Sequence, residues 1–164
     1  MPRAATFTPP SSAALLSVGR RRLFIALLLL TFIGAGCASA DRARVARERA
    51  PVLRETTRRA EPVVAAVQAY RAKHGRPPAT LGALVPVYLK TVPAPGPLAS
   101  GGWYYEVGNR PAAGGWSLYL MVNRRYSDPQ GFGDVFAYHP SGRYERADYG
   151  GVLERVGAWG YYHE

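Results

Sequence analysis

Two periods of apolar spacing divide the chain after residue 60. In PVVAAVQAYRAKH, residues 62–74, Val63, Val67 and Tyr70 recur at i, i+4 and i+7, and Val64 and Ala66 widen the stripe. That spacing predicts an amphipathic helix. Arg71, Lys73 and His74 fall in its last turn, where cations suit the negative end of the helix dipole. Gly75 is a natural left-handed cap, and Pro77-Pro78 prevents resumption. A shorter helix is expected to start at Thr80, with Leu81, Leu84, Val85 and Tyr88 on one side, and to end around Pro86–Lys90. The stretch TVPAPGPLASGG, residues 91–102, then breaks regular structure. From residue 103 the period is 2. Trp103, Tyr105 and Val107 alternate with Tyr104 and Glu106, and Trp116, Leu118, Leu120 and Val122 alternate with Ser117, Tyr119 and Met121. Asp134–His139 reads as a third strand and Arg143–Arg146 as a fourth, with Pro140-Ser141-Gly142 as the turn between them. Neither the helix nor the sheet can bury its stripe alone, so the expected class is α+β: an N-terminal helix packed on an antiparallel β-meander.

Ahead of this head the pattern is less regular. Residues 38–50 include the helix formers Arg44, Arg47, Glu48 and Arg49, but Pro51 and Pro62 each remove a backbone donor and clash with the preceding turn. Proline suits a first turn, so one helix is expected to start near Pro51 and another, or a continuation, near Pro62. Residues 37–61 then read as a partly helical tether, and 62–164 as the head domain.

Further upstream, Arg20, Arg21 and Arg22 precede LFIALLLLTFI, an uncharged run of 11 residues from Leu23 to Ile33. Gly34, Ala35 and Gly36 follow, and then Cys37, the single cysteine. A basic cluster, an apolar run and a small-residue zone make a secretory signal over residues 1–36. The apolar run is well short of the roughly 20 residues that span a bilayer. The other readings are an uncleaved anchor helix continuing to Ala40, and a buried or reactive thiol.

Composition changes the picture in two ways. Residues 1–36 carry four arginines and no acid, so their removal lowers the formal charge from +10 to +6. Residues 41–60 hold seven Arg against three acids, a basic segment just after the signal. For an exported chain this suggests anionic headgroups or an acidic envelope surface rather than nucleic acid, or simply a solvated face. One cysteine permits no intrachain disulfide, so the head must be held by its core. Fourteen of the nineteen aromatics lie after residue 100, which assigns most of that core to the sheet.

Two resemblances extend this reading. Ile33-Gly34-Ala35-Gly36-Cys37 resembles a lipobox, the processing site of bacterial lipoproteins. The resemblance implies cleavage between Gly36 and Cys37, a diacylglyceryl group on the Cys37 sulfur, and attachment to the membrane through the lipid. Ala38 in place of Asp implies sorting to the outer membrane, facing the periplasm. The segment AYRAKHGRPPATLGALVPVYLKTVP, Ala69 to Pro93, is similar to the region after the long helix in the type II secretion major pseudopilin and in type IV pilin-like proteins. The shared features are Tyr70, His74-Gly75, Pro77-Pro78, Leu81, Leu84, Val85, Tyr88-Leu89 and Pro93. The resemblance implies a pilin-like α+β head. The departures are in the stalk: no acid lies between Arg20 and Cys37, and Pro51 and Pro62 interrupt it. A lipid anchor would then stand in place of the filament-forming helix. Some major pseudopilins hold calcium late in the head, which makes Asp128 and Asp134 the candidates, although two acids in a Gly-Pro loop also serve as turn formers.

Candidate chemistry is sparse. His74, His139 and His163 lack metal-ligand spacing, and no phosphate loop, zinc pattern or nucleophile elbow is present. The expected function is a non-enzymatic structural or scaffold role in the envelope, without cofactor, beside envelope or secretion proteins. The alternative is a glycan- or peptidoglycan-binding module using Trp159, Tyr161 and Tyr162, which otherwise close the sheet as a further strand. A hydrolase built on His139 and a carboxylate is a third reading.

Overall fold

A computed structural model describes residues 13–109, 113–127 and 133–163, with side chains described from residue 40 onward. The chain divides into two compact units, Met1–Asp41 and Arg42–Glu164. Helix α1 spans Ala13–His74. A 3-10 turn at Leu81–Leu84 follows, then strands β1 (Tyr104–Val107), β2 (Trp116–Met121) and β3 (Val135–Tyr138), helix α2 (Arg146–Tyr149), and strands β4 (Val152–Val156) and β5 (Trp159–His163). The fold of the second unit is α+β, with α1 packed on a five-stranded antiparallel sheet.

The two prolines do not divide the helix: α1 runs through Pro51 and Pro62. Val45, Leu53, Thr56, Ala60, Val63 and Val67 are buried along one seam, whereas Pro51 and Pro62 are both exposed. At 3.6 residues per turn the prolines project away from that seam. The carbonyls of Arg47 and Arg58, which would have received their missing N–H groups, therefore face water. Burial on both sides of each proline offsets a penalty of about 3 kcal/mol. The same seam corrects the tether. Leu53 and Ala60 belong to the core, so the head begins at Arg42 and not at residue 62.

The end of α1 follows the sequence closely. Gly75 takes φ +70 and its N–H donates to the Arg71 carbonyl at 2.9 Å, the left-handed cap expected there. The second helix is only a 3-10 turn, and Thr80 makes no side-chain cap bond. Val85 is held extended, at φ −96 and ψ 136, because it precedes Pro86. Leu84 alone of this segment is fully buried.

The strand order is β1-β2-β3-β5-β4. The first three strands form the expected meander, but the last hairpin does not continue it: β5 pairs with β3, and β4 takes the edge. The expected fourth strand at Arg143–Arg146 is absent. That segment leads into α2, where the Asp148 carboxylate accepts the Glu145 N–H at 2.9 Å and completes a capping box. The true β4 joins β5 through Gly157, whose φ of +61 a tight hairpin link requires.

Alternation assigns the two sheet faces. Trp116, Leu118 and Leu120, with Phe136, Trp159 and Tyr161, pack toward α1. The opposite face carries Tyr119, Met121, Val135, Ala137, Leu153 and Tyr162, and Tyr144 and Tyr149 pack on it.

Candidate functional site

Among the described residues, polar side chains gather in two clusters and along a groove. The first cluster joins α1 to the end of the sheet. The Arg49 guanidinium lies 4.1 Å from the centre of the Tyr161 ring, and its Nη2 is 3.3 Å from Glu154 Oε2 on β4. The Arg49 side chain is only 8 % exposed, so its pairing with Glu154 and the π-face offsets the loss of water around a cation. The Tyr161 hydroxyl donates to Asp134 Oδ2 at 2.6 Å. His163 Nε2 lies 2.9 Å from Glu154 Oε2, and His163 Nδ1 lies 3.9 Å from Asp134 Oδ2. The chain therefore closes a ring of Arg49, Glu154, His163, Asp134 and Tyr161, drawn from α1, β4, β5 and the entry to β3.

The second cluster lies on the far face of the sheet. The His139 ring stacks on Tyr144, with centroids 4.6 Å apart and planes 5° off parallel. Its Nδ1 is 2.8 Å from the Arg143 carbonyl and 3.7 Å from Asp148 Oδ2. The first distance makes Nδ1–H the donor and so fixes the tautomer. The Tyr162 hydroxyl also donates to Asp148 Oδ2, at 3.2 Å. The structure thus brings His139 to a carboxylate, as a hydrolase would need. However, the imidazole is fully buried between tyrosine rings, and its Nδ1 bond to the Arg143 carbonyl holds the link between β3 and α2.

The groove runs along α1 beside the β4–β5 turn. One hollow of about 400 Å³ is lined by Thr57, Glu61, Val64, Gln68, Tyr138 and Trp159. An adjoining one of about 250 Å³ adds Arg54, Arg58 and Val156.

The residues singled out from sequence are placed as follows. Gly36 and Cys37 lie within α1, outside the residues whose side chains are described. Asp128 lies outside the described residues. Asp134 is fully buried and engaged by Tyr161, so it does not present oxygens to an open loop. Among the described residues no group of three or more His, Cys, Asp or Glu is arranged to hold a metal ion. Trp159, Tyr161 and Tyr162 are 3 %, 0 % and 0 % exposed. They form the interior strand β5, which corrects the surface-binding reading: a strand paired on both sides, between two covered faces, buries side chains of either parity. His74 ends α1 against Tyr70 and Tyr88, as a helix terminus would. Sequence reasoning missed Arg49 and Glu154. The available signal was the position of Arg49 on the apolar seam between Val45 and Leu53.

Buried phenols give this unit a pH signature. Burial pushes the Tyr105 and Tyr144 hydroxyls up to about 12. Burial, reinforced by donation to Asp134 and Asp148, raises Tyr161 and Tyr162 as well. An unfolded phenol releases its proton near pH 10, so above that pH the unfolded state binds fewer protons than the folded one. The stabilisation is complete below about pH 10 and is lost as pH rises through about 12. Denaturant midpoints should fall across this window while phenolate absorbance rises with unfolding. Full ionisation near pH 10 with the fold intact would contradict the burial of these rings.

Among the described residues no helix is long and apolar enough to cross a membrane. No protein-family model, curated protein or solved structure matches the chain.

Proposed function

We propose that this chain is a lipid-anchored protein of the bacterial envelope, with a non-enzymatic structural or scaffold role among envelope proteins. The observation that carries the proposal is the position of Cys37. It ends an uncharged apolar run behind three arginines, and after four intervening residues the folded unit begins at Arg42. A lipidated Cys37 then becomes the first residue of a chain that is almost all folded head. Each buried methylene of the lipid contributes about 0.8 kcal/mol, and two or more chains make attachment stable. Ala38 favours the outer membrane, facing the periplasm. The likeness of Ala69–Pro93 to pseudopilin heads supports a place beside a secretion or pilus-like assembly. The scaffold role is supported by how the head uses its chemistry: His139, Asp134 and the β5 aromatics brace the sheet from within.

Metabolic labelling with palmitate in a diderm bacterium should mark the protein, and Cys37→Ser should abolish the label. A wild-type chain that takes up no palmitate would overturn the anchor.

A further inference from the structure

The outward face of α1 carries a stripe of arginines. Arg44, Arg47, Arg54 and Arg58 are all exposed. At 3.6 residues per turn they fall within about 80° of one another, away from the buried seam, and extend over about 21 Å of helix, Arg54 and Arg58 also rimming the hollow beside the β4–β5 turn. Glu48 and Glu55 flank the stripe and pair with Arg44 and Arg58, but such exposed pairs are weak and exchange readily with another anion. The stripe starts a few residues after Cys37, and the segment between Cys37 and Arg42, four residues long, reaches at most about 15 Å.

We infer that this stripe is a headgroup-binding surface, on which α1 lies along a bilayer containing anionic phospholipid. The inference rests on the lipid anchor proposed above and adds a second attachment to it. Charge complementarity carries it: residues 41–60 hold seven Arg against three acids, and the four arginines on this side of α1 recur at intervals of three, seven and four residues, which leaves a net positive face even with Glu48 and Glu55 beside it. Guanidinium groups bind phosphate oxygens in pairs, and a line of them beside an inserted acyl chain is presented to headgroups without further loss of translational freedom. The lipid supplies insertion, and the stripe sets which side of the head faces the membrane.

The test is arginine footprinting with phenylglyoxal on the full chain, purified in detergent and placed in vesicles. One set is phosphatidylcholine alone, and the other contains one part in three phosphatidylglycerol. Peptide mass spectrometry reads the labelling of Arg44, Arg47, Arg54 and Arg58 against exposed Arg76 beyond the helix. On anionic vesicles the four should label about fivefold more slowly than on neutral ones, relative to Arg76. Salt near 1 M, where the screening length falls to about 3 Å, should remove the difference. Equal labelling on both vesicles, or an equal slowing at Arg76, overturns the inference and leaves the stripe to solvent or to an acidic protein. The mass of the Cys37 peptide, read in the same experiment, reports separately whether the anchor is present.

Discussion

Phe136→Ala should cost the folded unit about 4 kcal/mol, the largest loss expected from a single side chain in this sheet. Phe136 is 0 % exposed and sits on β3, at the centre of the five strands, facing α1. Its ring stacks on Trp159, with centroids 4.7 Å apart and planes 17° off parallel, and meets Tyr161 at 6.2 Å. Truncation removes the transfer energy of the ring and leaves a cavity. The cavity cannot close easily, because Trp159 is braced from its other side by Trp103 and Tyr138. Tyr104, 47 % exposed on the edge strand β1, provides the contrast: Tyr104→Ala should cost less than about 1 kcal/mol. Denaturant unfolding of both variants measures the difference. A Phe136→Ala protein as stable as Tyr104→Ala would mean that the sheet does not face α1 as described.

The second large effect concerns a residue with no side chain. A Cβ at Gly160 would stand 2.5 Å from Tyr144 Cδ1 and 3.2 Å from Leu153 Cδ1. The Tyr144 ring cannot swing aside cheaply. It stacks on His139, its hydroxyl donates to the Ala158 carbonyl at 2.5 Å and accepts the His139 N–H at 3.0 Å, and Arg155 covers its other face at 4.2 Å. Gly160→Val should therefore destabilise by about 3 kcal/mol, despite the higher strand propensity of valine. Gly160→Ala should cost about 2 kcal/mol, and markedly less in a Tyr144→Ala background, since neighbours sharing one clash are not additive. Equal penalties in the two backgrounds would remove Tyr144 as the cause.

These two residues also show where sequence reading reached and where it stopped. The strand containing Phe136 was legible because Val135–Tyr138 is compact, aromatic and bounded by turn residues. The role of Gly160 was not, since a glycine between Trp159 and Tyr161 reads only as a weak point in a strand. The closeness of Tyr144 follows from the path of the chain between β3 and α2. The misread strand at Arg143–Arg146 has the same origin: its alternation is real, but Asp148 satisfies the Glu145 backbone and turns the chain into a helix. The β4 strand, VLERV, carries its two charges in succession, and that hid a period of 2. On α1 the local penalty of Pro51 and Pro62 does not decide the outcome, because the seam of buried residues on either side of each ring holds the helix together.

Residue order alone determined the class, the elements of the first three strands, the cap at Gly75, and the basic, cysteine-bearing approach to the head. These depend on spacing and on backbone chemistry within a few residues, which short windows contain. Long-range pairing decided the remainder. It inserted β5 between β3 and β4, turned the Trp159–Tyr162 aromatics from a candidate surface into core, and joined Arg49 to Glu154 across 105 positions. Contacts of that kind are selected by the total area and charge the whole chain can bury, so no local pattern specifies them.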